Sequence, residues 1–202
     1  MTLAERIVAA FSAATSLDTR PEQVEYARRV ATLFETPSVG EGPSVALIQG
    51  ATGVGKTLGY LVPAVFAAAR GQRVLVATHS IELLLTIHRE VERAWEVASA
   101  SAPDLRVPTA AVRIGRQEYL DASKIDGLLQ DPETSSDAAE ALKRLRPYAE
   151  TTGILRLSGI ELPDDIEPRS ICHDFDSDPP PDSPYVRDNA LARAADIIVT
   201  TH

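Results

Sequence analysis

Eight consecutive residues, Gly50-Ala51-Thr52-Gly53-Val54-Gly55-Lys56-Thr57, satisfy the spacing G-x-x-x-x-G-K-[ST] at every fixed position. Each residue type has a task in holding a polyphosphate. Glycines let the backbone curl so that successive N–H groups point into one hollow. A lysine supplies a positive charge for the β- and γ-phosphates, and a threonine hydroxyl can ligate Mg²⁺. Lys56 and Thr57 are therefore the candidate catalytic pair. Gly50, Thr52, Gly53, Val54 and Gly55 are the candidate phosphate cradle, and Thr57 is the candidate Mg²⁺ ligand. Lys56 is one of only three lysines in the chain, with Lys124 and Lys143, which makes an accidental match less credible.

Such a loop works only between a strand and a helix N-terminus, whose free N–H groups and dipole favour anions. The apolar run Ser44–Gln49 reads as a buried parallel strand, and Leu58–Ala69 as a helix closed by Gly71. Periodicity places helices over 2–14, from Pro21 to about Phe34, from about Ser80 to Ala98, and over 137–150 and 187–195. It places strands over 73–78, 111–114 and 196–201. Residues 36–43 read as a loop, and the acidic, proline-rich 158–185 as an extended or mobile segment. Alternation of strands and helices predicts an α/β fold, a parallel sheet flanked by helices. Residues 1–98 and 186–202 would form this nucleotide-binding domain, with 99–185 inserted between two of its strands.

The formal charge of −9 is unevenly distributed. Residues 1–120 carry 12 acidic and 12 basic side chains, whereas 121–202 carry 17 acidic and 8 basic. The low isoelectric point thus says little about the loop-bearing part. No apolar run is long enough to span a bilayer, and the first residues lack the order of a signal peptide. A lone cysteine, Cys172, cannot form an internal disulfide, which fits a cytoplasmic protein. Cys172-His173-Asp174 is a poor metal set, because one Cys and one His lack partners of their own kind nearby in sequence.

Several segments in order give the chain a wider resemblance. Arg20-x-x-Gln23 resembles an element that reads adenine, and Gln49–Ala64 resembles helicase motif I with its usual continuation. Val76-Ala77-Thr78-His79-Ser80 resembles motif Ia, Gly115–Leu120 is similar to G-R-x-x-Y-L, and Ala194–His202 is similar to A-D-I-V-V-x-N-H. Together they resemble the DinG-type, XPD-like branch of superfamily 2 DNA helicases. The resemblance implies a RecA-like P-loop NTPase domain and ATP with Mg²⁺ as cofactors. It also implies 5′ to 3′ movement on single-stranded DNA. By the same resemblance Arg20 and Gln23 would bind the base of ATP, and Thr78, His79 and Ser80 would touch DNA phosphates. Plainer readings stand beside these. Gln23 could be a surface residue, Thr78–Ser80 a helix cap, Tyr119 core packing, and His202 a solvated side chain.

The chain also departs from that family. Members with an iron–sulfur cluster carry four cysteines in the insertion, the first directly after G-R-x-x-Y-L. Here that position is Asp121, and one thiol cannot hold a cluster that needs four. The expectation is an accessory region in place of the iron–sulfur domain, with no cluster. One cluster-free group is the DinG-like helicase of type IV CRISPR systems, which implies a CRISPR-type ribonucleoprotein as partner and a monomeric, non-membrane enzyme. No D-E-x-H box occurs, so the chain is expected to be the N-terminal part of a longer enzyme and inactive alone. The rival readings are a P-loop regulatory or binding module in a larger ribonucleoprotein, and a small nucleoside or nucleotide kinase.

Overall fold

A computed structural model describes residues 1–35, 45–176 and 178–201. The expected loop 36–43, Ser44 and His202 lie outside the described residues. The chain forms two compact units. Residues 1–112 join the stretch from Ala194 onward in the larger one, and Arg113–Arg193 form the smaller one.

The larger unit begins with α1 (Leu3–Ala13), closed at its start by a reciprocal Thr2–Glu5 capping box. α2 (Pro21–Glu35) has proline in its first turn, where no N–H is needed. α3 (Lys56–Ala69) is the central helix. Ten of its residues are buried, including Leu61, Val62, Val65 and Phe66, so it is apolar nearly all round. α4 (Ile81–Ser99) is amphipathic, and buries Leu84, Ile87, Val91, Ala94 and Val97 from one face. β1 (Val74–Thr78) pairs in parallel with β3 (Ile197–Thr201), from Val74 opposite Ile197 to Thr78 opposite Thr201. β2 (Ala110–Arg113) lies on the other side of β3, giving the order β1-β3-β2. The molecule is thus a mixed α/β protein, with a small sheet flanked by helices.

Over the described part of 44–49 the expected strand does not form. Residues 45–49 adopt no regular structure, and Val45 and Leu47 are 82% and 99% exposed. An apolar run becomes a strand only where another edge offers its backbone groups, and no described strand pairs with it.

Glycine sets how closely α2 approaches α3. A Cβ at Gly59 would stand 2.7 Å from Tyr26 Cδ1, and one at Gly50 would stand 3.2 Å from Tyr26 Cδ2. The Tyr26 ring thereby joins α2 to both the start of the loop and the first turns of α3.

The smaller unit holds α5 (Ala122–Gln130), α6 (Ser136–Thr151), α7 (Pro168–Ile171) and most of α8 (Pro184–Ala194). Its core is Leu120, Ile125, Leu142, Leu145, Ile166, Ile171 and Cys172 with small alanines. The acidic 158–185 segment is therefore not the free loop its composition suggests. Ile160 and Leu162 pack against that core, while Ile166, Ile171 and Cys172 belong to it. Isolated antiparallel bridges tie Tyr119 to Ile154 and Leu120 to Cys172.

Candidate functional site

The Gly50–Thr57 loop runs directly into α3, and Lys56 is the first helical residue. Gly53 and Gly55 both have φ of +81°, in the left-handed region. Gly55 is also the N-cap residue, and no side-chain hydrogen bond caps the helix. The first N–H groups of α3 are left for another partner, which is the condition for an anion site.

Three side chains brace this loop through its carbonyls. Arg20 Nη1 donates to Gly53 O at 2.6 Å, and Gln23 Nε2 donates to Gly55 O at 2.9 Å. Lys56 Nζ donates to Gly50 O at 2.9 Å and to Ala51 O at 3.3 Å. Arg20 and Gln23 reach across from the start of α2, more than thirty residues earlier. A Cβ at Gly55 would stand 2.2 Å from Gln23 Nε2, so the close approach requires glycine there as much as the φ does. Gln23 is buried, whereas Arg20 and Lys56 are exposed.

Thr57 is half-buried at the first turn of α3. Burial pushes the neighbouring Tyr60 phenol up, and a side-chain hydrogen bond with Thr57 partly offsets this. On one side of the loop a cleft of about 450 Å³ is lined by Tyr26, Arg29, Gln49, Gly50 and Ala51. On another, a hollow of about 340 Å³ is lined by Arg20, Gln23, Gly53, Gly55 and Thr57. Both are of the size that small-ligand sites occupy. Thr52 is exposed and Val54 half-buried on the same loop.

The structure thus brings Arg20, Gln23, Gly50, Gly53, Gly55, Lys56 and Thr57 together. Thr78, His79 and Ser80 sit apart from the loop, at the turn from β1 into α4. Thr78 is buried, His79 is exposed, and Ser80 caps α4 by accepting from Leu83 N at 3.2 Å. A residue missed by sequence reasoning is Tyr26, whose place between two glycines of the loop region could have been suspected only from Gly59 inside a helix.

Tyr119 is core. It is 1% exposed, donates to Asp188 Oδ2 at 3.0 Å and stands edge-on to Tyr185, with ring centroids 5.4 Å apart. Burial, then the Asp188 charge, pushes its phenol far up. Cys172 is buried too, and burial raises its thiol to about 11. His173 Nδ1 meets Asp121 Oδ2 at 3.2 Å, and Lys124 Nζ meets Asp174 Oδ2 at 2.7 Å. Burial pushes the Asp121 carboxyl up. The Ser123 hydrogen bonds, the His173 charge and the Lys124 N–H outweigh this and leave it lowered. Among the described residues no group of three or more His, Cys, Asp or Glu side chains could hold a metal.

No family model matches the chain. A stretch of 45 residues, 22% of the chain, is 44% identical to a protein of Methanocaldococcus jannaschii described as a probable ATP-dependent helicase. The stretch covers 7% of that protein's length. That stretch is a relationship to an ATP-dependent helicase. Among the described residues no helix is long and apolar enough to cross a membrane.

Proposed function

We propose that the chain is the nucleotide-binding part of an ATP-dependent DNA helicase of the DinG type, which moves 5′ to 3′ on single-stranded DNA. The observation that carries this is the glycine loop at the uncapped N-terminus of α3, with two left-handed glycines and Lys56 as the next residue. The helicase-like stretch of 45 residues supports it as well.

The residues present fit a triphosphate and its metal. The α3 N–H groups are without a capping side chain, and Thr57 lies one residue beyond Lys56. Mg²⁺, held by the Thr57 hydroxyl, would neutralise charge on the phosphates. Lys56 would give up its contacts with Gly50 O and Ala51 O to meet phosphate oxygens. These two hydrogen bonds are exposed, and an exposed ammonium exchanges a carbonyl for an anionic oxygen at a net gain. Arg20 and Gln23 hold the carbonyls of Gly53 and Gly55, and the first N–H groups of α3 have no side-chain cap. Gln23 keeps its amide oxygen for the adenine edge. The β1–α4 turn with Thr78, His79 and Ser80 would contact the DNA backbone through the exposed His79 side chain and helix-start N–H groups.

A second reading, a nucleotide-dependent binding module in a larger ribonucleoprotein such as a CRISPR-type complex, draws support from the acidic excess of residues 121–202, which suits a basic partner. One comparison separates them. The intact protein should hydrolyse ATP faster with single-stranded DNA present, and should unwind 5′-tailed but not 3′-tailed duplexes. Nucleotide binding without hydrolysis or unwinding would leave the binding module.

A further inference from the structure

We propose that the larger unit carries a second anion site, at the end of α3 opposite the glycine loop, which takes a phosphate group on Arg6, Arg70 and Arg106. The three arginines line one cavity of about 400 Å³, floored by Phe66 and Leu105. Arg6, from α1, is the key group. Its Nε is buried and has no hydrogen-bond partner, and a phosphate in the cavity would reach it once the side chain turns. A guanidinium cannot shed its charge, so a buried N–H there carries an unreturned desolvation cost until an acceptor arrives.

The other two arginines supply field. Arg106 is already committed to Asp196 and to Ala68 O. Arg70 Nη1 is 3.9 Å from the nearest Glu35 oxygen, beyond hydrogen-bonding distance. Asp104 is the single acid in the lining and it is exposed, while Asp196 and Glu35, just outside the lining, offset the charges of Arg106 and Arg70 and leave Arg6 the arginine without an ion-pair partner among the described residues. The end of a helix would normally repel an anion. Here the repelling carbonyls are engaged, since Ala67 O accepts from Arg70 N and Gln72 N, and Ala68 O from Gly71 N and Arg106 Nη2. The guanidinium fork suits the paired oxygens of a phosphate, whether free or in a nucleic-acid backbone.

The test uses the whole chain carrying Lys56→Ala, which disables the loop, so the two sites fail separately. Inorganic phosphate is titrated while the Arg6 Nε–H resonance is followed by NMR. A saturable shift is expected, with affinity about tenfold weaker in Arg6→Gln and several-fold tighter in Asp104→Asn. A decathymidylate that displaces phosphate at this resonance would assign the site to a nucleic-acid backbone, and one that does not would assign it to small phosphates. No saturable shift, or an affinity unaltered by Arg6→Gln, would overturn the proposal. Should Arg6→Gln not fold, an unaltered affinity in Asp104→Asn, an exposed position, would overturn it equally.

Discussion

The glycine loop and the Asp121–His173 contact are both made by polar groups that meet across long stretches of sequence, and they are built for opposite ends. In the loop, Arg20, Gln23 and Lys56 donate to main-chain carbonyls of exposed or half-buried residues. Two of those donors are themselves exposed, and each carbonyl can be surrendered to water or exchanged for a ligand at small cost. In the smaller unit, His173 and Asp121 meet side chain to side chain at 4% and 9% exposure, and Asp121 also caps α5 through Ser123 N and Lys124 N. Nothing there can be released without stranding a buried group. The first arrangement is poised for a ligand, and the second holds a core together.

That contrast predicts a double dissociation. The largest effect belongs to Asp121→Ala. It removes a cap and strands His173, and should lower stability by about 3 kcal/mol in a chemical denaturation curve. Affinity for an ATP analogue should not change. Lys56→Ala should do the reverse. Calorimetry should show binding weakened about 100-fold, about 2.7 kcal/mol, with the denaturation midpoint unmoved. Equal losses of stability and affinity in either variant would erase the distinction.

Asp196 sharpens it, because it is a structural carboxylate within the loop-bearing unit. It accepts Arg106 through both oxygens and also takes Thr109 N and Oγ1. The Arg106 hydrogen bonds, then the Thr109 N–H, hold its carboxyl well below the usual carboxylate range. Its folded pKa lies under its unfolded one, so the stabilisation is complete above about pH 4 and is lost as the pH falls further. Asp196→Asn should cost about 1.5 kcal/mol at pH 7, allowing for the half-exposed Arg106, and the gap from wild type should close in acid. A gap as wide at pH 2 as at pH 7 would contradict the assignment. The smallest effect is expected of Gln23→Ala, which removes one brace. It should weaken nucleotide binding about fivefold, about 1 kcal/mol, in the same calorimetric titration.

The sequence exposed the parts of this molecule that depend on local chemistry. The loop is spelled out residue by residue, and the faces of α1, α2 and α4 follow from apolar spacing. What depends on a distant partner was hidden. The run at 44–49 has the composition of a strand, yet a strand needs a neighbour's free edge, which its own residues cannot specify. α5 escaped notice because nine residues with Gly127 inside make a weak periodic signal. Ile166, Ile171 and Cys172 were masked by the acids and prolines around them, although they complete the smaller unit's core. In the site, Gln23 could be flagged as polar and useful, but its bond to Gly55 O could not, since it depends on how α2 leans on α3.

Backbone-amide NMR of the chain titrated with a nonhydrolysable ATP analogue and Mg²⁺ addresses the central assignment most directly. Saturable shifts at Gly53, Val54, Gly55, Lys56 and Thr57, absent from Lys56→Ala and from the amides of Asp121 and His173, are the expected result. Loop amides that stay still at millimolar analogue, or that move equally in Lys56→Ala, would show that the curl ahead of α3 is not a phosphate cradle.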